Sequence, residues 1–214
     1  MASGVVAVVD YGMGNLRSVR QALARVAEGY DVVVSSDASV VANAERVVFP
    51  GQGAMPDCMR ELDARGLRAP VLDAARNKPF LGICIGLQML FEYSDEGGVS
   101  GLGIFPGHVR RFPAEKMRGA DGAKLKVPHM GWNRVAHARP HPLWQGIDDG
   151  ARFYFVHSYY VDPVDPSTVV GVTDYGLPFT SAVARDNIFA LQCHPEKSAQ
   201  TGLAFLSNFI RWSP

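Results

Sequence analysis

Cysteine is scarce in this 214-residue chain. Cys58, Cys84 and Cys193 form an odd set without a Cys-x-x-Cys pair. That argues against a disulfide framework and against a structural zinc site. Net charge is also missing, with 21 Lys and Arg against 21 Asp and Glu. Holding a polyphosphate by bulk charge needs a basic excess, so no nucleic-acid partner is expected. Long apolar runs are absent. The longest mainly apolar stretch, Pro79 to Phe91, is broken by glycines and a glutamine and is too short to span a bilayer, so no membrane partner is expected. Met1-Ala2-Ser3-Gly4 carries no basic residue ahead of the first apolar run, and Asp10 closes that run early. No signal peptide is expected, and the expected location is cytoplasmic, where thiols stay reduced. There is no Gly-x-x-x-x-Gly-Lys phosphate loop, no internal repeat and no linker long enough to separate domains.

What is present is an ordinary globular composition, 47% hydrophobic. A chain of this size buries roughly 70% of the surface it would expose unfolded, enough for a real core. Residues 1–214 are expected to form one domain. Val5 to Val9, Asp31 to Val34, Val47 to Phe49 and Phe80 to Ile83 are apolar, β-branched runs suited to strands buried on both faces. Helical spacing between them predicts helices over Asn15 to Glu28, Met55 to Arg65, Val71 to Asn77 and Gly86 to Tyr93. The second half is strand-like over Ile104 to Arg111, Lys124 to Val135, Arg152 to Val161, Val169 to Asp174, Phe179 to Arg185 and Ile188 to Cys193. Ala199 to Ile210 closes the chain as an amphipathic helix with Leu203, Leu206 and Ile210 on one stripe. The pattern predicts an α/β fold: a mostly parallel, flavodoxin-like central sheet flanked by helices, with additional antiparallel strands. Pro113 to Ala123 is expected to be an exposed hairpin tip.

Several features have bland readings that outweigh sharper ones. Gly12-Met13-Gly14 opens a helix after a strand, but Arg17 stands where a dinucleotide fingerprint wants its third glycine, so a tight connection is expected. His137 and His141 have zinc-like spacing, yet Pro140 and Pro142 forbid a helix there. The stretch Arg110 to Lys126 holds six basic residues against two acidic ones and fits a solvated hairpin. Cys58 and Cys193 are expected to be packed and unreactive.

The chemistry gathers in three segments, each after a predicted strand. Gly82-Ile83-Cys84-Ile85-Gly86 is the thiol form of a nucleophile elbow, a strained turn with glycines two positions either side. A helix starting just after Cys84 would favour its thiolate. His194-Pro195-Glu196 offers a base and an orienter: in an extended backbone held by Pro195, Glu196 projects to the same side as His194. Pro50-Gly51-Gln52-Gly53 can turn backbone N–H groups toward a substrate oxygen, as an oxyanion hole requires.

Pro50-Gly51-x-Gly53, Gly82-x-Cys84-x-Gly86-x-Gln88 and His194-Pro195-Glu196, in that order, resemble the class I (triad) glutamine amidotransferases across the whole chain. The resemblance implies Cys84 as nucleophile, His194 as base and acid, and Glu196 as its orienter. It implies Gly51, Gln52, Gly53, Gln88, Glu96, Ser158 and Tyr159 around a bound glutamine. A backbone N–H of the Gln52 loop and one near Ile85 would face the oxyanion. Neither a metal nor a cofactor is implied. Asp10 to Val19, Pro128-His129-Met130-Gly131-Trp132-Asn133, Phe155 to Tyr159 and His194 to Ser198 further resemble the glutaminase subunits of imidazole glycerol phosphate synthases. That implies a heterodimer with a (β/α)8 synthase (cyclase) subunit, to which ammonia is supplied for the formation of imidazole glycerol phosphate and aminoimidazole carboxamide ribotide in histidine biosynthesis. It places Asn15, Trp132, Tyr154 and Lys197 near that partner, although Trp132 and Tyr154 also fit a core reading. Two alternatives stand beside it. The glutaminase of pyridoxal phosphate synthesis shares the triad, but the Pro128 to Asn133 motif and Gln88 argue against it. A non-catalytic relative would be expected to lack one or more triad members, and all three are present.

Overall fold

The computed structural model of the chain describes residues 4–115, 117–119 and 122–214. Met1, Ala2 and Ser3, and Lys116, Ala120 and Asp121 within the basic segment, lie outside the described residues.

The first half alternates as its sequence predicts. In chain order it forms β1 (Gly4–Val9), α1 (Leu16–Ala24), β2 (Tyr30–Ser35), α2 (Ala38–Asn43), β3 (Arg46–Gly51), α3 (Met55–Ala64), α4 (Arg68–Asn77) and β4 (Phe80–Cys84). The four strands are parallel, and every residue of β3 and β4 is buried. Helix α2 is not evident from sequence. Its six residues are too short to display a period, and it rests on Asp37, whose side chain accepts from Ser39 N–H at 2.7 Å.

The helix expected over Gly86 to Tyr93 is cut short. It becomes α5 (Ile85–Met89), then β5 (Phe91–Ser94) and β6 (Val99–Ser100). The chain returning from β6 takes the carbonyls that would have continued the helix: Leu102 N–H donates to Met89 at 2.8 Å and Ile104 N–H to Leu90 at 2.8 Å. Then follow β7 (Phe105–Arg111), β8 (His129–His137), β9 (Ala151–His157), β10 (Tyr159–Pro163), β11 (Val169–Asp174), β12 (Pro178–Arg185), β13 (Ile188–Leu191) and α6 (Ala199–Arg211). Two expected strands differ. The run from Lys124 is no strand until His129, just past Pro128, which has no N–H to give a ladder. The run from Arg152 to Val161 breaks at Ser158, where the chain leaves β8's neighbour strand β9 and enters β10, paired with β7 and β12.

The main sheet runs β2-β1-β3-β4-β13-β12-β10-β7-β5-β6, with β11, β8 and β9 branching from β12. Strand β13, grouped by sequence with the antiparallel set, has a double allegiance. It is antiparallel to β12 but parallel to β4, in register Ile188↔Phe80 to Leu191↔Ile83. It therefore completes the parallel core. Helix α6 covers that core with Phe205, Leu206, Phe209 and Ile210, while Leu203 is only half-buried. Of the described residues in the expected Pro113 to Ala123 hairpin tip, Arg118 is bridged to Lys124, and Met117 is buried where exposure is expected.

A polar seam crosses the antiparallel half. His157 Nδ1 lies 2.8 Å from the Tyr159 carbonyl, which can only accept, so Nδ1 carries the proton. His157 Nε2 is then bare and accepts from His129 Nδ1 at 2.9 Å. His129 Nε2 in turn accepts from Asn133 Nδ2 at 3.3 Å. Both imidazoles are neutral in this arrangement. Burial pushes the pKa of His129 down to about 4 and that of His157 to about 3, where the neighbouring histidines add to the effect of burial.

A Cβ on Gly86 would collide with the carbonyl oxygen of Phe49, a backbone atom that cannot swing aside. Gly86→Ala is expected to lower unfolding stability by about 3 kcal/mol or more, read by urea denaturation. A loss within ~0.5 kcal/mol would show that α5 can move off β3. The neutral histidines give a pH dependence. Unfolded, each binds a proton below about pH 6.5; folded, each stays neutral to about pH 4 or lower. Stability is thus fully present above about pH 6.5 and falls on acidification, by up to about 1.4 kcal/mol per unit for each histidine. Equal urea midpoints at about pH 7 and about pH 5 would contradict this.

Candidate active site

Cys84 ends β4 with φ 56° and ψ −112°, a strained conformation for a residue with a side chain. The glycines around it are demanded by packing. A Cβ on Gly82 would come within 2.9 Å of the Ala190 Cβ, and Gly86 has no room beside Phe49. The expected dipole support for the sulfur rests on only five residues, because α5 is shorter than the sequence suggests.

Sheet register brings the other two segments to the elbow. Gly51 pairs with Cys84 across β3 and β4, so Gln52 and Gly53 run alongside the sulfur. This loop is tied down from below: Tyr11 Oη donates to the Pro50 carbonyl at 3.0 Å, and Cys58 Sγ donates to the Gln52 carbonyl at 3.7 Å. On the other side, β13 pairs with β4 up to Leu191 and Ile83, and the chain then passes Cys84 through Gln192 to His194.

His194 Nδ1 sits 2.8 Å from Glu196 Oε1, and both side chains are buried. The extended backbone expected here holds at His194 only; Pro195–Lys197 is a single 3-10 turn, which delivers Glu196 to the ring by a tighter path. The turn is anchored on β9. His194 N–H donates to the Tyr154 carbonyl at 2.8 Å, while Ser198 Oγ donates to the His194 carbonyl at 2.6 Å and accepts from Tyr154 N–H at 3.0 Å. Burial disfavours a charged His194, but the neighbouring Cys84 and the Glu196 carboxylate outweigh it, and its pKa is raised. With Nδ1 given to Glu196, Nε2 is the nitrogen left for Cys84. It is buried and has no conventional hydrogen-bond partner among the described residues.

Cys84 and His194 open into a cavity of about 230 Å³, lined also by Gln52, Gly53, Ile85, Gln88, Glu96, Ser158 and Tyr159. Two expected site residues stay off its wall. Gly51 lies beneath the loop, close against Tyr11 and Ile85, and Glu196 sits behind His194. Glu96 has a second task, accepting from Met55 N–H at 2.8 Å at the start of α3. The cavity is also lined by Pro128, Val156 and His157, which lie in the family-like segments of the sequence but are assigned no place around the substrate by the resemblance. Gln192 is likewise assigned none. It is fully buried, with Nε2 3.7 Å from Cys84 Sγ. A polar residue two places before His194 in a strand-like run is the available signal.

The residues assigned to a partner face fall mostly together. Trp132 is 44% exposed, its ring 6.2 Å from that of Tyr154, and Lys197 Nζ lies 5.9 Å over the Tyr154 ring. Met130, two residues before Trp132, is 61% exposed and extends this patch. Asn15 stands at the start of α1, which packs against the Pro195–Lys197 turn.

The bland readings have structural counterparts. Gly12 and Gly14 turn with φ of 85° and 125° between β1 and α1. His137 stacks on Trp144, and His141 Nδ1 accepts from Leu143 N–H, so each ring is used within the core. Cys58 and Cys193 are buried, and burial pushes Cys58 up to about 11 and Cys193 upward.

Comparison with known proteins identifies the family. The family model for class-I glutamine amidotransferases matches residues 7–212. The imidazole glycerol phosphate synthase subunit HisH of Dechloromonas aromatica (strain RCB) is 66% identical over 214 residues, covering 100% of this chain and 99% of that protein. The protein of the same name from Aromatoleum aromaticum (strain DSM 19018 / LMG 30748 / EbN1) is 68% identical over 209 residues, covering 98% of this chain and 99% of its own length. Among solved structures, PurLQS from Thermotoga maritima superimposes with a TM-score of 0.71 at 20% identity over 98% of each chain, a likeness of fold. The chain belongs to the class-I glutamine amidotransferase family and, within it, to the imidazole glycerol phosphate synthase HisH subunits.

Proposed function

We propose that this chain is the glutaminase of an imidazole glycerol phosphate synthase, releasing ammonia from glutamine for use by a second subunit. The observation that carries the reading is the placement of Cys84, on a strained elbow, in one cavity with a His194 already bonded to a buried Glu196. Cys84 is the nucleophile, His194 the acid and base, and Glu196 the group that orients the ring. The Cys84 thiolate attacks the side-chain carbonyl carbon of glutamine, and the carbonyl electron pair moves to oxygen. Backbone N–H groups near Gln52 and Ile85 hold that oxyanion. The tetrahedral species collapses, the C–N bond breaks, and protonated His194 gives its proton to the leaving nitrogen. Ammonia departs and a thioester remains. His194 then takes a proton from water, hydroxide adds to the thioester, and the C–S bond breaks to release glutamate and the thiolate.

The cavity suits a small zwitterion. Gln88 lines the cavity, and its Oε1 is buried without a partner among the described residues. Glu96 contributes negative charge on the same wall, and Ser158, Tyr159, Gln52 and Gly53 complete the enclosure around glutamine. Membership of a synthase subunit family means a second subunit receives the ammonia. The partner is a (β/α)8 synthase subunit seated on the Trp132, Tyr154 and Lys197 patch, with Asn15 at its margin. No helix of the described residues is long and apolar enough to cross a membrane, and the site of action is the cytoplasm. Residues 1–214 act as one domain. The pyridoxal phosphate and non-catalytic readings have no comparable support.

Cys84→Ala is expected to abolish glutamine-dependent synthesis by the two-subunit complex while ammonia-dependent synthesis survives. Loss of both activities would make Cys84 structural. The glycine-flanked Gln52 peptide allows a resting loop whose N–H groups face away from substrate. Glutamine hydrolysis by the free chain is therefore expected to be slow, and to rise when the synthase subunit and its ligand bind. Full turnover by the free chain would refute this.

A further inference from the structure

Among the described residues, Cys84 Sγ has two hydrogen-bonding neighbours besides His194. The Val156 carbonyl lies at 4.0 Å and the side-chain amide of Gln192 at 3.7 Å. A carbonyl oxygen favours a thiol, which can donate to it. An amide can present either of its ends to sulfur, and here the surroundings decide which.

The Tyr159 carbonyl can only accept. Gln88 therefore turns its nitrogen to that carbonyl, at 3.1 Å. The second N–H of the same Gln88 nitrogen goes to Gln192 at 3.0 Å, and Gln192 can meet it only with Oε1. Nε2 is what Gln192 has left for Cys84. Each amide is thus oriented by its predecessor, back to a main-chain oxygen that cannot reverse its role. That oxygen is itself fixed, because its second lone pair takes His157 Nδ1–H at 2.8 Å. Gln88 and Gln192 are both buried, so water does not compete for these positions.

We propose that Gln192 is a further catalytic residue of this site, donating its amide N–H to the Cys84 sulfur and holding it as the thiolate. The inference rests on Cys84 being the nucleophile. Donation involves no proton transfer: the hydrogen stays on nitrogen throughout. It acts in the resting enzyme, where the pair to be used in attack resides on sulfur. It acts again in the second half-reaction, when the C–S bond breaks and its electron pair returns to sulfur. His194 and Glu196 complete the charged surroundings of that atom. Val156 and Gln192 favour opposite protonation states, and the closer of the two is the donor.

The test compares the unaltered full chain with Gln192→Glu and Gln192→Met. Gln192→Glu keeps the oxygen that receives Gln88 and sets a second oxygen against sulfur. Gln192→Met removes the donor and keeps the length. The readouts are the pH profile of iodoacetamide alkylation at Cys84, located by peptide mass, and kcat and KM for glutamine in the complex with the synthase subunit. Both profiles are expected to move to higher pH, by about one unit for Met, a tenfold loss of thiolate, and further for Glu. kcat should fall with KM little changed. A role in packing alone would move KM or thermal stability and leave the alkylation profile in place. Should the Met variant fail to fold, Gln192→Glu, nearly isosteric, carries the test. Unshifted profiles with Cys84 still the alkylated residue would overturn the role of Gln192 and leave the nucleophile standing. Alkylation of the unaltered chain at another cysteine would overturn both.

Discussion

The contact between the Gly86 backbone and the Phe49 carbonyl is the constraint on which the site depends. Helix α5 must begin almost in touch with β3, and only a residue without a Cβ lets it do so. That closeness goes with a turn made within the last residue of β4, where Cys84 takes φ 56°. Such a conformation costs of order 1–3 kcal/mol. The surrounding core offsets it, since β3 and β4 are buried along their whole length between β1 and β13. Cys84 lines the cavity because the fold around it leaves the backbone no other course.

The rest of the constellation depends on β13. The chain leaves the parallel core after β4, builds the antiparallel half, and returns beside β4 in parallel register. That return sets Gln192 against Cys84 and sends His194 past it. The β9 backbone then fixes the turn that follows, with Tyr154 donating and accepting once each. One wall of the cavity is thus local to the elbow, and the other is supplied by strands distant in sequence. The break at Ser158 joins them, because it lets β9 hold the His194 turn while β10 turns the Tyr159 carbonyl toward Gln88.

Much of this is legible from residue order. The apolar runs mark β1 to β4, and the glycine spacing marks the elbow, because both signals are local. The pairing of His194 with Glu196 is also legible, though it forms through a tighter turn than an extended backbone would give. What stays hidden is nonlocal. The end of α5 is set by carbonyl partners that return from Leu102 and Ile104, and no propensity within Gly86 to Tyr93 announces them. The parallel pairing of β13 with β4 is a topological fact. Gln192 reads as an ordinary residue before a motif, because its significance lies in which end of its amide faces sulfur. That orientation is fixed by Tyr159 and Gln88, from distant stretches of the chain.

Strand β8 ties the exposed patch to this buried order. Met130 and Trp132 point outward, while His129 and Asn133 point inward, as alternation along a strand requires. The inward pair begins the seam that ends on the Tyr159 carbonyl, and that carbonyl also orients Gln88. A body seated on Met130 and Trp132 therefore touches the same strand that holds the first link of the seam. The histidines between are neutral, so the seam is held by hydrogen bonds and not by charge. The seam and the cavity meet at the Tyr159 carbonyl, which takes His157 Nδ1–H on one side and Gln88 Nε2–H on the other. Gln88 and Gln192 are the side chains that carbonyl holds in place beside the sulfur.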